Sequence, residues 1–178
     1  TAQAAMGSGG SAGAQGQKFL LALSAGANIT YTVGAGGTGV QGANGNNGAD
    51  STVVYNSLTY MAAGGIGGFA VSSALTVAVS QSLGPTTGTA TNWDVHLPGT
   101  AGCPAIRMSG TNATGGMGGM NGVGMPGSNT SSGVSTNGGA GSLGAGGGGA
   151  VDFNNSPAAG STGGDGGVGW VEIEEWIQ

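Results

Sequence analysis

The chain is predicted to be all-β and irregular, with short β-strands and hairpins combined with packed polyglycine-II helices in a glycine-rich sandwich and essentially no α-helix. Three observations predict this. Glycine recurs at every third position in separate stretches: Gly36, Gly39, Gly42, Gly45 and Gly48, then Gly138, Gly141, Gly144 and Gly147, then Gly160, Gly163, Gly166 and Gly169. A polyproline-II type helix has three residues per turn, so this spacing puts every glycine of a run on one bare edge, where another backbone can approach. The 44 glycines among 178 residues are roughly three times the usual share of about 7%. Each glycine in a helix interior costs about 1 kcal/mol relative to alanine, and no capped amphipathic window escapes that cost.

The elements follow in chain order. Gly7, Gly10, Gly13 and Gly16 set a first triplet run. Lys18 to Leu23 and Ile29 to Val33 then read as two strands joined by Ala25 to Asn28, a hairpin. The second run leads into Val53-Val54-Tyr55 and Leu58-Thr59-Tyr60, a second hairpin across Asn56-Ser57. In residues 69–83, Leu75, Val77 and Val79 alternate with Thr76, Ala78 and Ser80, the period of a strand. The glycine pattern lapses from Gly84 to Pro104, and this insert carries the least repetitive stretch, Thr91 to Pro98. Residues 115–127 hold glycines in two phases, which implies a bulge or a turn. The last two runs flank Val151 to Asn155, and Trp170 to Ile177 alternates like a terminal strand. The whole chain, 1–178, reads as one module with runs near 7–16, 34–48, 64–68, 115–127, 138–149 and 160–169.

Composition excludes several classes. Disorder goes with high charge and low hydrophobicity, yet only 5% of the residues are charged, 38% are hydrophobic and the mean hydropathy is +0.10. Collagen needs an unbroken G-X-Y repeat rich in proline, and here five prolines accompany short, out-of-phase runs. A net charge of −5, with Lys18 and Arg107 as the fixed cations, argues against nucleic acid or an anionic membrane as partner. No run of about 18 apolar residues suggests membrane insertion, and the N-terminus lacks a basic region followed by an apolar run. The opening residue is Thr1 rather than Met, as in a fragment or a processed product. Cys103 is alone, so no intrachain disulfide is expected, and it reads as a small buried thiol.

Short motifs carry little weight in so glycine-rich a chain. Gly34 to Gly39 matches G-x-G-x-x-G, but the following Gln41-Gly42-Ala43-Asn44-Gly45 cannot open the helix that would hold a pyrophosphate. Gly9 to Gly13 matches G-x-S-x-G without the strand and helix that a nucleophile elbow requires. His96 is the one histidine; Asp94, two residues away, would share its face of a strand and orient the imidazole. One histidine, one cysteine and scattered carboxylates do not make a metal-ligand cluster. Neither an enzyme, a metal nor a cofactor is expected.

Much of the distinctive chemistry lies between the runs. Tyr55 and Tyr60 are suited to stacking on sugar rings, and Trp93 with Asp94 and His96 to an aromatic platform with hydrogen bonds. Phe153 with Asn154 and Asn155 is a second such group, and Met117, Met120 and Met125 offer an adaptable apolar surface for a protein receptor. Structural roles stay open beside these: aromatic residues at segment ends also cover a stack's edges, and methionines fill gaps between helices.

The succession of a triplet run, Phe19 to Leu23, Ile29 to Gly37, Asp50-Ser51 and Met61-Ala62-Ala63-Gly64-Gly65 resembles the glycine-rich C-terminal domain of bacteriophage tail fibres. Gly141 to Gly149 and Gly163 to Glu175 resemble the end of those fibres. The alternation of runs with variable inserts is also similar to the tip adhesins of T-even-type phages, in which polyglycine-II helices form a sandwich and connecting loops touch the receptor. The resemblance implies a virion protein of the distal tail fibre that binds a host-surface protein or polysaccharide. Its companions are implied to be other fibre chains, as a homotrimer or as a cap on a trimer. A structural cap or spacer, and a glycine-rich ice-binding protein, are the alternatives.

Overall fold

Segment 8–14 shows how the glycine runs are resolved in the computed structural model. Its N–H groups rotate through three neighbours. Ser8, Ser11 and Ala14 donate to the carbonyls of Phe69, Ile66 and Ala63; Gly9 and Ala12 to those of Cys103 and Thr100; Gly10 and Gly13 to those of Gly147 and Gly144, all at 2.8–3.1 Å. A donor direction that repeats every third residue belongs to a three-residue-per-turn extended helix, which has no internal hydrogen bonds to offer. Every third carbonyl serves a fourth neighbour, with Gly7 and Gly10 accepting from Gly116 and Gly119. The expected polyglycine-II geometry is thus written in the bonding pattern.

The structure describes residues 5–20, 23, 26–71, 79–80, 92–109, 112–122, 124–127, 135–152 and 161–175. Segments 34–40, 44–50, 63–69, 98–104, 115–121, 124–127, 137–142, 144–150 and 163–169 are joined in the same lattice. Segment 115–121 lies against both 8–14 and 144–150, with 98–104 on one side of it and 124–127 on the other. On the far side, 63–69, 44–50, 34–40 and 163–169 complete a ring with 8–14 and 144–150. Around that ring every neighbour runs antiparallel, as pairs such as Gly45–Gly68 and Gly48–Gly65, or Gly166–Gly37 and Gly169–Gly34, require.

Glycine is needed here because backbones touch. A Cβ on Gly9 would overlap the Met117 carbonyl, one on Gly65 that of Ser11, and one on Gly146 that of Gly10. At the lattice edges, side chains at the same period replace missing neighbours. Asn44, Asn47 and Asp50 accept from the N–H groups of Ala70, Gly67 and Gly64 at 2.8, 3.0 and 2.9 Å. Inside, the Ser8 and Ser11 hydroxyls accept from Phe69 and Ile66 at 2.9 and 2.7 Å.

Short strands extend the segments: β1 (Ala5–Gly7), β2 (Gln15–Gln17), β3 (Thr30–Thr32), β4 (Ser51–Tyr55), β5 (Leu58–Ala62), β6 (Ala70–Val71), β7 (Val79–Ser80), β8 (Val95–Leu97), β9 (Ala105–Ser109), β10 (Asn112–Thr114) and β11 (Val151–Asp152). They form small antiparallel sheets of order β11-β1-β6, β10-β9-β7, β2-β8 and β3-β4-β5. Among the described residues there is no α-helix. The β3-β4-β5 and β2-β8 sheets stand at one end of the lattice, here the hairpin end. A small core of Met6, Ala105, Ala113 and Val151 lies at the other.

The β4–β5 hairpin turns at Asn56-Ser57, both left-handed (φ 49° and 61°), as a two-residue turn between twisted strands requires. Other expectations are corrected. Lys18 to Leu20 form no strand, Leu21 and Ala22 lie outside the described residues, and β3 pairs with β4. Most of 69–83 lies outside the described residues. Trp170 to Glu175 form no strand; they continue 163–169. Three runs each split in two, at Gly42 (φ 67°), at Gly122 (φ 84°) and at Leu143-Gly144 (φ 45° and 77°). Cys103 is exposed, since 98–104 lies at the lattice edge.

Gly146→Ala, which pushes a methyl group into backbone, is expected to lower stability by about 1–3 kcal/mol or more. Gly166→Ala, whose Cβ would meet nothing nearer than 3.5 Å, should be neutral or stabilising by up to about 1 kcal/mol, through loss of unfolded-state freedom. Urea unfolding of both variants measures the contrast.

Candidate functional site

The exposed apolar side chains are not spread evenly. Phe19, Leu23, Tyr31, Leu58, Leu97, Met120, Leu143, Trp170 and Ile173 are all exposed, and all belong to segment ends or connections at the hairpin end. Phe19, Leu23, Leu97, Trp170 and Ile173 line one concavity, joined there by Ile29, Val53 and the carboxylate-bearing Glu172, Glu174 and Glu175. Exposed apolar surface gathered in a concave, charge-rimmed mouth makes this the candidate contact site of the domain.

Local folding explains why these residues remain outside. Segments 8–14 and 163–169 reach this end as lattice members, but beyond Gly16 and Gly169 the triplet glycines stop and side chains return. The lattice cannot continue past that point. Phe19, Leu23, Trp170 and Ile173 therefore lie past the end of the stack with their apolar side chains exposed.

Beside the mouth a tight cluster holds the chain in place. Trp93 lies flat on Gly16, where a Cβ would overlap its ring, and donates its Nε1–H to the Met61 carbonyl at 2.6 Å. Its ring meets Tyr60 at 5.6 Å and 59°. Asp94 accepts from Lys18 Nζ at 2.6 Å and from the Phe19 N–H at 2.8 Å. These two bonds, the lysine first, hold the Asp94 carboxyl below its ordinary value, and the same bond raises the Lys18 ammonium.

The sequence-derived candidates divide accordingly. Tyr60 is 3% exposed, so its ring has no free face for a sugar; it is a packing residue. Trp93 has one ring face on Gly16 and its N–H engaged, which makes it first of all an anchor of β8 on β2. Asp94 turns to Lys18 and the Phe19 N–H rather than to His96. His96 pairs with Gly16 in the strand register and is half-buried, with Nε2 lacking a partner among the described residues. Tyr55 is half-buried at the hairpin turn. Met120 is exposed in a shallow groove shared with Leu97, while Met125 is 75% exposed on 124–127 beside Ser142; neither lines the mouth itself. Phe153 and Asn154 lie outside the described residues. The mouth residues Phe19, Leu23, Trp170 and Ile173 were read from sequence as strand positions; the signal that marks them is an apolar run directly after a glycine triplet ends.

A family model described as a glycine-rich domain matches residues 1–174. The chain belongs to that glycine-rich domain family. No curated protein and no solved structure matches it. In this glycine-rich domain no group of three or more metal-binding side chains occurs among the described residues, and no helix there is long and apolar enough to cross a membrane.

The Lys18–Asp94 pair sets a pH signature. A carboxyl lowered on folding adds stability above its unfolded value of 3.8, lost as pH falls through the lower folded value. Asp94→Asn is therefore expected to melt below the native protein at neutral pH, with the gap closing in acid. The raised Lys18 contributes below 10.5, and its share is lost as pH rises through the folded value. Thermal melts of both proteins across acid, neutral and alkaline pH check both arms.

Proposed function

We propose that the domain is the receptor-binding tip of a bacteriophage tail fibre, attaching to a protein or polysaccharide of the bacterial surface without cleaving it. The observation that carries this reading is the apolar, acid-rimmed mouth at the end of a scaffold made rigid by backbone bonding. Recognition commonly sits on loops held by such scaffolds. The carriers are Phe19, Leu23, Trp170 and Ile173, with Tyr31, Leu58 and Met120 around them. Their aromatic and aliphatic character suits a protein receptor better than a glycan. Other fibre chains would meet the remaining surface, in a trimer or as the base this domain caps.

A second reading, a structural cap or spacer, draws support from Trp93 and Tyr60, whose rings serve internal packing. Adsorption separates the two. Labelled domain is expected to bind sensitive bacteria saturably and to compete with phage attachment. The exposed pair Phe19→Ser and Ile173→Ser should reduce adsorption at least tenfold, with unfolding changed by no more than about 0.5 kcal/mol per surface substitution. Adsorption that survives this pair moves the contact elsewhere; folded domain that adsorbs to no host, including that of the parent phage, favours the cap.

A further inference from the structure

The ring of six segments encloses a space that no other described segment occupies. Elsewhere in the lattice a Cβ added to an interior glycine would strike backbone, but one set of glycines is different. Gly7 at the end of β1, Gly10 and Gly13 on 8–14, Gly45 and Gly48 on 44–50, and Gly163 and Gly166 on 163–169 would place a Cβ no nearer than 3.1 Å to the closest atoms around it. The nearest atoms belong to flanking ring members, as when Gly48 meets Ala35 and Gly65, or Gly166 meets Gly37 and Ala145. None of these nearest atoms comes from across the ring. These three segments thus turn a bare glycine edge inward every third residue.

The three alternate members run the other way and present something else. The N–H groups of Gly37, Gly65, Gly68 and Ala150 lie 3.4–3.7 Å from those inward Cβ positions, and none has a hydrogen-bond partner among the described residues. At the outer edges, N–H groups left without a neighbouring helix are met by side chains such as Asn47 and Asp50. Inside the ring no side chain of the described residues bonds to the open donors. The lumen continues into the apolar mouth, and together they form one cavity of about 1840 Å³.

We propose that the lumen is a strand-accepting site, taking one extended segment of glycine, alanine and serine from another chain as the seventh helix at the centre of the ring. Three arguments fix the occupant's chemistry. The walls repeat every three residues, about 9.3 Å along the axis, so a three-residue-per-turn helix alone meets them in register. The open donors call for carbonyl oxygens, which such a helix leaves unbonded within itself. The width of one lattice position admits backbone but no branched or long side chain, the condition under which 8–14 (SGGSAGA) and 144–150 (GAGGGGA) already pack. The contact therefore discriminates by absence of side chains, with affinity drawn from main-chain bonds as in strand addition to a sheet edge. It does not depend on the receptor reading.

The test uses a fluorescent synthetic peptide with a seven-residue core of glycine, alanine and serine and lysines at both ends, and a control peptide carrying valine at every third core position. The first is expected to bind the purified domain saturably and the control at least tenfold more weakly. Gly48→Leu, which projects a side chain into the lumen, should weaken binding at least tenfold while the melting temperature holds. Should that variant not fold, the smaller Gly166→Cys in a Cys103→Ser background gives the same answer: its thiol should react with a thiosulfonate reagent in the free domain and be protected by the peptide. Equal binding of both peptides, no saturable binding, or a thiol closed in the free domain would overturn the proposal; in the last two cases water or this chain's own residues fill the ring. Adsorption to bacteria plays no part in these readings, so failure here and failure of the receptor proposal are told apart.

Discussion

Close contact between backbones is the constraint on which everything else in this molecule depends. A three-residue helix satisfies none of its own N–H and C=O groups, so each must find a partner in another segment or in water. The partners come within 2.7–3.1 Å only where no Cβ intervenes. Each such bond is worth only about 0.5–1.5 kcal/mol net, and ordering glycine carries a high entropic cost. The fold holds because bonds run in several directions from each interior segment. Segment 144–150 bonds to 8–14, 115–121, 124–127, 137–142 and 163–169, and is buried from Ala145 to Ala150 with scarcely any side-chain volume. Among the described residues the clustered apolar core is correspondingly small, four residues of which only Met6 and Val151 are larger than alanine.

Side chains take up what the lattice leaves over. Asn44, Asn47 and Asp50 finish one edge, Asp165 meets the Gly39 N–H at 2.7 Å, and Thr100 and Ser142 meet those of Met120 and Met125 at 2.7 and 3.0 Å. Each bonds the neighbouring backbone from a segment's flank. Where glycines give way to larger residues the lattice stops, and the emerging chain is organised by ordinary packing instead: Trp93 on Gly16, Tyr60 against Trp93, Lys18 on Asp94. The mouth exists because that packing covers only part of the apolar surface released there.

Much of the scaffold was legible in the sequence because its cause is local. Triplet glycine spacing favours a three-fold helix along most of each run, and Asn56-Ser57 between two short apolar runs fixes a hairpin. The failures share one origin. Gly99 and Gly102 keep the triplet spacing between Pro98 and Pro104, and this segment flanks 8–14, yet two glycines among larger residues read as a lapse. The splits at Gly42, Gly122 and Leu143-Gly144 lie within unbroken glycine texture, where a turn and a helix look alike. Strand-like alternation at Lys18 to Leu23 and at Trp170 to Ile177 was real, but pairing depends on a partner. Trp93 and Tyr60 were visible as distinctive residues; that each would complete the other's packing depended on Gly16 lying beneath the indole, which no spacing reveals.

The rotation of donors along 8–14 also sets how such a chain can change length. Sliding a segment by three residues returns every N–H to the direction it had before, so its bonds re-form one turn along. A shift of one or two aims each donor at the wrong neighbour and brings side-chain positions into backbone contact. Loss or gain of residues within a lattice segment is thus quantised in threes. The connections beyond Gly16, Asp50 and Gly169 have no such period and are free to vary by single residues. Two rules of length therefore operate along one chain, and the boundary between them falls where the triplet glycines end.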